Sequence, residues 1–217
     1  MWEEKWNEAC KKASFFSSEK NTDEYWDEVA KAGYNQDDED KINLLFSFLK
    51  NKNLLDKTKT AIDVGCGTGN YVLRFAKEAA KVTALDYSKE MLTITKEKSE
   101  GNGLKNVDYI CANFNTYQFK EKYDVVIAAL NPGVYSSNAF DKLLSISNGT
   151  VVLLNQEGDI NAAKNEPVYS GSHYAAYPIS YAKEKGLKVD TIPVKHTVMT
   201  KEGKSIEIPF VYSIYRV

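Results

Sequence analysis

With 217 residues, 43% hydrophobic and 27% charged, the chain is an ordinary soluble sequence, long enough for one domain with a sizeable core and short for two. A formal net charge of −2 supplies no global electrostatic pull toward nucleic acid or an anionic membrane.

Residues 1–57 read as helical. Trp2, Trp6, Ala9 and Cys10 recur at helical intervals, Tyr25, Trp26, Val29 and Ala30 do so again, and Gly33 stops that second helix. The acids at 37–40 precede the periodic run from Lys41 to Leu49 and favour a third helix through the dipole. The early aromatics have two readings: packing of these helices onto the core, or a lid over a site.

From Thr60 onward strands and helices alternate, which predicts βαβ units and a parallel sheet. The stretch Ala61-Ile62-Asp63-Val64-Gly65-Cys66-Gly67-Thr68-Gly69-Asn70-Tyr71 is a buried strand running into a tight glycine turn and then a helix. Such a turn brings backbone close to a nucleotide-like ligand. The dinucleotide pattern G-x-G-x-x-G fails here, because its sixth position is Asn70 and the third glycine, Gly69, comes one residue early. Asp63 also stands where a pyrophosphate would meet a like charge, whereas an ammonium group would be attracted.

After a helical segment comes the strand Lys81 to Asp86, whose terminal acid lies roughly twenty residues past the first glycine, the separation of a carboxylate that grips ribose hydroxyls. Ser88 caps a helix carrying Met91, Leu92 and Ile94. The third strand, Val107 to Cys111, leads into Ala112-Asn113-Phe114. The fourth, Tyr123 to Leu130, is apolar enough to be buried on both faces and ends at Asn131-Pro132-Gly133-Val134-Tyr135. A helix over 138–145 and a strand over 150–154 follow. Residues 155–172 form a long polar loop beside the crevice at the strands' carboxyl ends. His173 to Ala182 reads as a short helix interrupted or kinked by Pro178, and Leu187 to Thr200 with Ser205 to Val217 as a terminal hairpin.

Cys10, Cys66 and Cys111 are far apart and lack a C-x-x-C, so they read as reduced thiols, with Cys66 a small filler in the turn. Only His173 and His196 are present and no ligand cluster accompanies them, so no metal site is expected. No signal pattern opens the chain and no apolar run spans a bilayer, which makes a cytoplasmic location the expectation.

The run D-x-G-C-G-T-G after apolar residues resembles motif I of the class I S-adenosylmethionine-dependent methyltransferases, and the likeness extends over residues 58–217. It implies an α/β fold: a Rossmann-like, doubly wound, mostly parallel seven-stranded sheet with a C-terminal antiparallel hairpin and an N-terminal helical cap over 1–57. It also implies S-adenosylmethionine as cofactor and S-adenosylhomocysteine as product. Asp63 would face the methionyl end, and the backbone of Gly65, Cys66, Gly67, Thr68 and Gly69 would lie against the ligand. Asp86 would hold the ribose, Tyr87 and Met91 would flank the adenine, and Asn113, between Ala112 and Phe114, would bond its amino group. Leu130 would border the cofactor. In the cap, Trp26-Asp27-Glu28-Val29-Ala30 followed by Tyr34 is similar to the family's aromatic-acid-x-x-Ala…Tyr entry, which makes Trp26 and Tyr34 candidates for a lid. Asn-Pro-Gly-Val-Tyr resembles the Asn-Pro-Pro-Tyr motif of amino methyltransferases, in which Asn131 would hold a planar amine; Asn-Pro-Gly is also an ordinary turn.

Methyl transfer from a sulfonium needs positioning and water exclusion more than covalent chemistry. A hydroxyl or ammonium acceptor adds the need for a base, for which His173, beside the long loop, and Tyr135 are the candidates. The expected acceptor is a small molecule, with no strong nucleic-acid signal and no membrane. The competing readings are a non-catalytic S-adenosylmethionine-binding protein and an NAD(P)-dependent oxidoreductase. Neither the acceptor atom nor the oligomeric state is written in the residues.

Overall fold

A computed structural model describes residues 1–12, 22–34, 39–157, 175–199 and 205–217. Its described elements, in chain order, are α1 (Trp2–Lys12), α2 (Asp23–Lys31), α3 (Glu39–Asn51), β1 (Thr60–Val64), α4 (Asn70–Glu78), β2 (Lys81–Asp86), α5 (Lys89–Gly101), β3 (Val107–Cys111), β4 (Tyr123–Ala129), a 3-10 turn (Pro132–Val134), α6 (Ser137–Ser145), β5 (Ser147–Gln156), α7 (Ala176–Glu184), β6 (Lys188–Met199) and β7 (Ser205–Arg216).

The strands form one seven-stranded sheet in the order β3-β2-β1-β4-β5-β7-β6. β1 pairs parallel with β2 and β4, β2 with β3 and β4 with β5, while β7 runs antiparallel to both β5 and β6. This is the doubly wound, mostly parallel α/β architecture that the motif resemblance implies, with the parallel sheet and terminal hairpin that the residue pattern predicts. The chain winds outward from β1 through β2 to β3, then returns to the other flank of β1 with β4. The carboxyl ends of β1 and β4 therefore flank a topological switch point, where open sheets of this kind leave a crevice.

Two apolar layers sandwich the sheet. On one face α3, α4 and α5 bury Leu45, Phe46, Leu49, Phe75 and Leu92, with the Phe46 and Phe75 rings 4.6 Å apart. On the other, α1, α6 and α7 bury Trp6, Phe140, Leu143, Tyr181 and Ala182. β7 serves both layers by alternation: Tyr212 and Ile214 enter the first and Tyr215 the second.

The three helices of 1–57 go to three different places. α1 packs on α6 and α7, where Trp6 is 1% exposed and its ring stands 5.9 Å from that of Phe140. α2 packs on α5, and α3 joins the core beside α4 and β6. Of the three, α2 and the first turn of α3 reach the crevice.

α7 is one continuous helix in which Pro178 introduces no break. The proline occupies the first turn, where its missing N–H is one that no helical carbonyl would have received; the next amide, Ile179 N, resumes the ladder by donating to Ala175 O at 3.1 Å. The sequence-expected interruption at Pro178 is therefore corrected to an ordinary first-turn proline.

Candidate active site

The glycine turn is pinned from beneath. Gly65 N and Cys66 N both donate to Leu85 O, at 2.7 and 3.0 Å, and Gly69 N closes the turn on Cys66 O at 3.0 Å. Two of the glycines are sterically required and one is not. A Cβ on Gly65 would stand 2.2 Å from Asn131 Nδ2, and one on Gly69 would meet Thr95 Cγ2 at 2.7 Å. A Cβ on Gly67 would meet no heavy atom within 4 Å, and Gly67 lines the cavity.

Asp86, at the end of β2, accepts Ser88 N on Oδ1 at 3.0 Å and Gly67 N on Oδ2 at 2.9 Å. Burial raises its pKa while those backbone donors pull it down. Asp63 has no comparable support. It is 1% exposed, and its Oδ2 meets no hydrogen-bond donor among the described residues. Burial first, and then the charge of Asp86, pushes its pKa up to about 8. An orphaned, buried carboxylate oxygen is costly unless a donor or cation arrives, and the cavity is where one can. Cys66 is buried and its thiol is pushed well above the ordinary range, which suits a filler and not a nucleophile.

One cavity runs along these carboxyl ends. Over β2 and β3 it is lined by Asp86, Tyr87, Met91, Ala112, Asn113 and Phe114. Asn113 also shapes its own loop, since its Oδ1 accepts Asn115 N at 2.9 Å. Thr68 and Leu130 line the cavity as well, whereas Gly69 serves as N-cap of α4 and lies outside the lining. Leu130 closes β4 with φ +51°, a left-handed conformation that a branched residue adopts only where its surroundings enforce it.

Trp26, on α2, and Tyr34, just after it, reach the cavity with their ring centroids 6.3 Å apart, and the Trp26 side chain hydrogen-bonds that of Tyr87. They therefore stand over the β2 side of the cavity. α2 is fastened there by Asp27, whose Oδ1 accepts Ser88 Oγ at 2.5 Å and Glu90 N at 3.2 Å. These bonds hold the Asp27 carboxyl below the usual range.

Asn131 lines the cavity, but its amide is engaged at both ends: Nδ2 donates to Val64 O at 2.7 Å and Oδ1 accepts Gly133 N at 2.8 Å. The group that would grip a planar amine here ties the β4 turn to β1. Tyr135 is half-buried, its carbonyl accepts Cys10 Sγ, and it is not among the lining residues. His173 lies outside the described residues.

The structure adds lining residues that sequence reasoning passed over, chief among them Lys41, Ile42, Tyr71 and Leu154. Tyr71 and Tyr212 share a hydroxyl–hydroxyl hydrogen bond of 2.6 Å, and burial holds both phenols above their ordinary range. Tyr71 lies four residues before Phe75, so its helical spacing marks it only as part of a packed face.

The fold, with its cavity at the carboxyl ends of the strands, is the Rossmann-like one of solved methyltransferase structures. Residues 61–146 match the family described as a methyltransferase domain. Among curated relatives, an uncharacterised protein of Methanocaldococcus jannaschii is 38% identical over 77 residues, 36% of this chain and 30% of that protein. The first curated relatives are aligned over 30%, 20% and 32% of their own lengths, a third or less. Among solved structures, magnesium protoporphyrin IX methyltransferase from Synechocystis with bound S-adenosylhomocysteine superposes with a TM-score of 0.63 at 16% identity, covering 91% of this chain and 96% of that one. A candidate RNA methyltransferase from Pyrococcus horikoshii gives 0.67 at 14% identity, over 99% and 97%.

Proposed function

We propose that the protein binds S-adenosylmethionine in this cavity and transfers its methyl group to a small-molecule acceptor. The observation that carries the reading is the orphaned Asp63 Oδ2 at the carboxyl end of β1. An ammonium brought to that oxygen supplies the missing donor and stabilises the ionised carboxylate, whereas a pyrophosphate has no donor to offer, which argues against a nicotinamide dinucleotide. Asp86 is positioned to accept ribose hydroxyls, and the open side of Gly67 leaves room for a nucleoside against the backbone.

The cofactor, when bound, supplies a methyl group already activated on a sulfonium. The chain's part is to hold and exclude. Asp63 and Asp86 fix two ends of the nucleoside, Tyr87 and Met91 take the base between them, and Trp26 and Tyr34 keep water from the β2 side. His173 is the proposed base for an acceptor that must lose a proton; Tyr135, with its carbonyl tied to Cys10, has less support.

A small-molecule acceptor is favoured by the net charge of −2, which offers RNA no electrostatic footprint. The test is a melting experiment followed by a transfer assay. S-adenosylhomocysteine raises the melting temperature and NAD does not, and labelled S-adenosylmethionine then passes its methyl to an acceptor from a small-molecule panel. Protection by NAD instead, or strongly salt-dependent RNA affinity with transfer to RNA, overturns the reading. Binding with no transfer to any acceptor leaves the non-catalytic alternative.

A further inference from the structure

Tyr71 lines the cavity from the first turn of α4, and its hydroxyl meets that of Tyr212 at 2.6 Å. Tyr212 stands on β7 opposite Leu154, which also lines the cavity, but Tyr212 itself is 0% exposed and outside the lining. A phenol offers one donor hydrogen, so the pair has two and the bond between them uses one. No other hydrogen bond reaches the Tyr212 hydroxyl among the described residues. With Tyr71 as donor, the Tyr212 hydrogen is left unsatisfied in the apolar layer that holds Leu45, Phe46 and Ile214. The arrangement that avoids this has Tyr212 donating to Tyr71. The half-buried Tyr71 then keeps its own hydrogen for whatever fills the cavity.

The surroundings indicate what accepts it. Burial first, then Tyr212, and last the charge of Asp63 raise the Tyr71 phenol, which puts the Asp63 carboxyl in its neighbourhood. Asp63 is the group proposed to hold the cofactor's ammonium. In an amino acid the ammonium and the carboxylate share one carbon, so an ammonium anchored at Asp63 brings a carboxylate close beside it. A carboxylate taken out of water needs a donor there, and the Tyr71 hydroxyl is one already fixed in place. The helix end agrees with this, since Gly69 has no capping side chain and the first turn of α4 carries no acid.

We propose that Tyr71 donates a hydrogen bond to the carboxylate of the cofactor's amino-acid end, and that Tyr212 is the positioning residue that directs that hydrogen. Asp63 and Tyr71 then read a zwitterion between them, one taking the ammonium and the other the carboxylate. This deepens the proposed function and rests on it. An acidic acceptor is a second source of the same carboxylate chemistry, and the experiment separates the two.

Wild type, Tyr71→Phe and Tyr212→Phe are titrated by calorimetry with S-adenosylhomocysteine and with S-adenosyl-3-thiopropylamine, which keeps the ammonium and lacks the carboxylate. Wild type prefers S-adenosylhomocysteine. Tyr71→Phe loses about tenfold in affinity for it and none for the amine, so the preference narrows by that factor. Tyr212→Phe leaves the Tyr71 hydroxyl in place but undirected, and narrows the preference by a smaller factor, again without weakening the amine. A merely structural role weakens both ligands alike, and that result overturns the proposal. An unchanged preference in Tyr71→Phe overturns it too, by leaving the phenol to the acceptor, as does wild type binding the two ligands equally. A wild-type preference in Tyr212→Phe overturns the directing role of Tyr212. Failure of wild type to bind S-adenosylhomocysteine is a different result and removes the proposed function itself. Each substitution deletes one oxygen from a packed ring, and melting points serve as the folding control. If one variant fails to fold, the other still carries the comparison.

Discussion

The Asp63 carboxyl, pushed up to about 8 from 3.8, holds its proton in the folded protein across a range in which the unfolded chain has released it. Between those two values the native state binds more protons, so stability falls as pH rises. Asp63→Asn removes the titration. The ligand-free variant melts above wild type at pH 7 to 8, and the gap closes toward pH 4; thermal scans across that range check it, and a pH-independent gap refutes the assignment. The same variant loses affinity for S-adenosylhomocysteine, the usual cost of replacing a strained binding group. Asp86→Ala acts differently, because Asp86 is also the partner of Gly67 N and Ser88 N. It weakens S-adenosylhomocysteine by about tenfold or more and destabilises the turn as well. Calorimetry and melting together distinguish the two acids.

At the scale of elements, the turn between β1 and α4 makes a crossed prediction. Gly67 and Gly69 both have positive φ, +51° and +85°, so alanine strains both, but only Gly69 faces a wall, at Thr95. Gly69→Ala should therefore lower stability by about 1–3 kcal/mol more than Gly67→Ala, whereas Gly67→Ala should cost more cofactor affinity. Denaturant melts and binding titrations of the pair read both orders at once. α1 gives the complementary case. Trp6→Ala should cost about 3–5 kcal/mol and leave the dissociation constant of S-adenosylhomocysteine unchanged, since Trp6 packs on Phe140 and Tyr181 across the sheet from α3 and α4. A weakened constant would place α1 over the site.

Across the whole molecule, what was legible in the sequence was what local rules determine. The run from Ala61 to Asp86 announces strand, glycine turn, helix and acid-ended strand, because glycine at positive φ and the spacing to a terminal carboxylate are properties of adjacent residues. The destinations of the N-terminal helices were not legible. The stripe of Trp2, Trp6 and Cys10 says that α1 buries a face but not which layer receives it. Lys41 was hidden for a similar reason, since beside Ile42 in a helical run a lysine looks solvated, and the packing of α3 beside the distant strand β6 is not a local property. Asn131 was ambiguous because an amide that holds a ligand and one that holds a turn are the same residue; only its bonds to Val64 and Gly133 decide.

The chain of contacts from Asp27 through Ser88 to Asp86 joins the cap to the acid proposed to hold the ribose. Linkage then demands reciprocity: whatever free energy the nucleoside lends to seating α2, a seated α2 returns to the nucleoside. Hydrogen exchange at the amides of residues 23–31 slows when S-adenosylhomocysteine binds. Asp27→Ala abolishes that slowing and weakens the ligand by the same factor. If protection changes and affinity does not, cap and cofactor answer to separate equilibria.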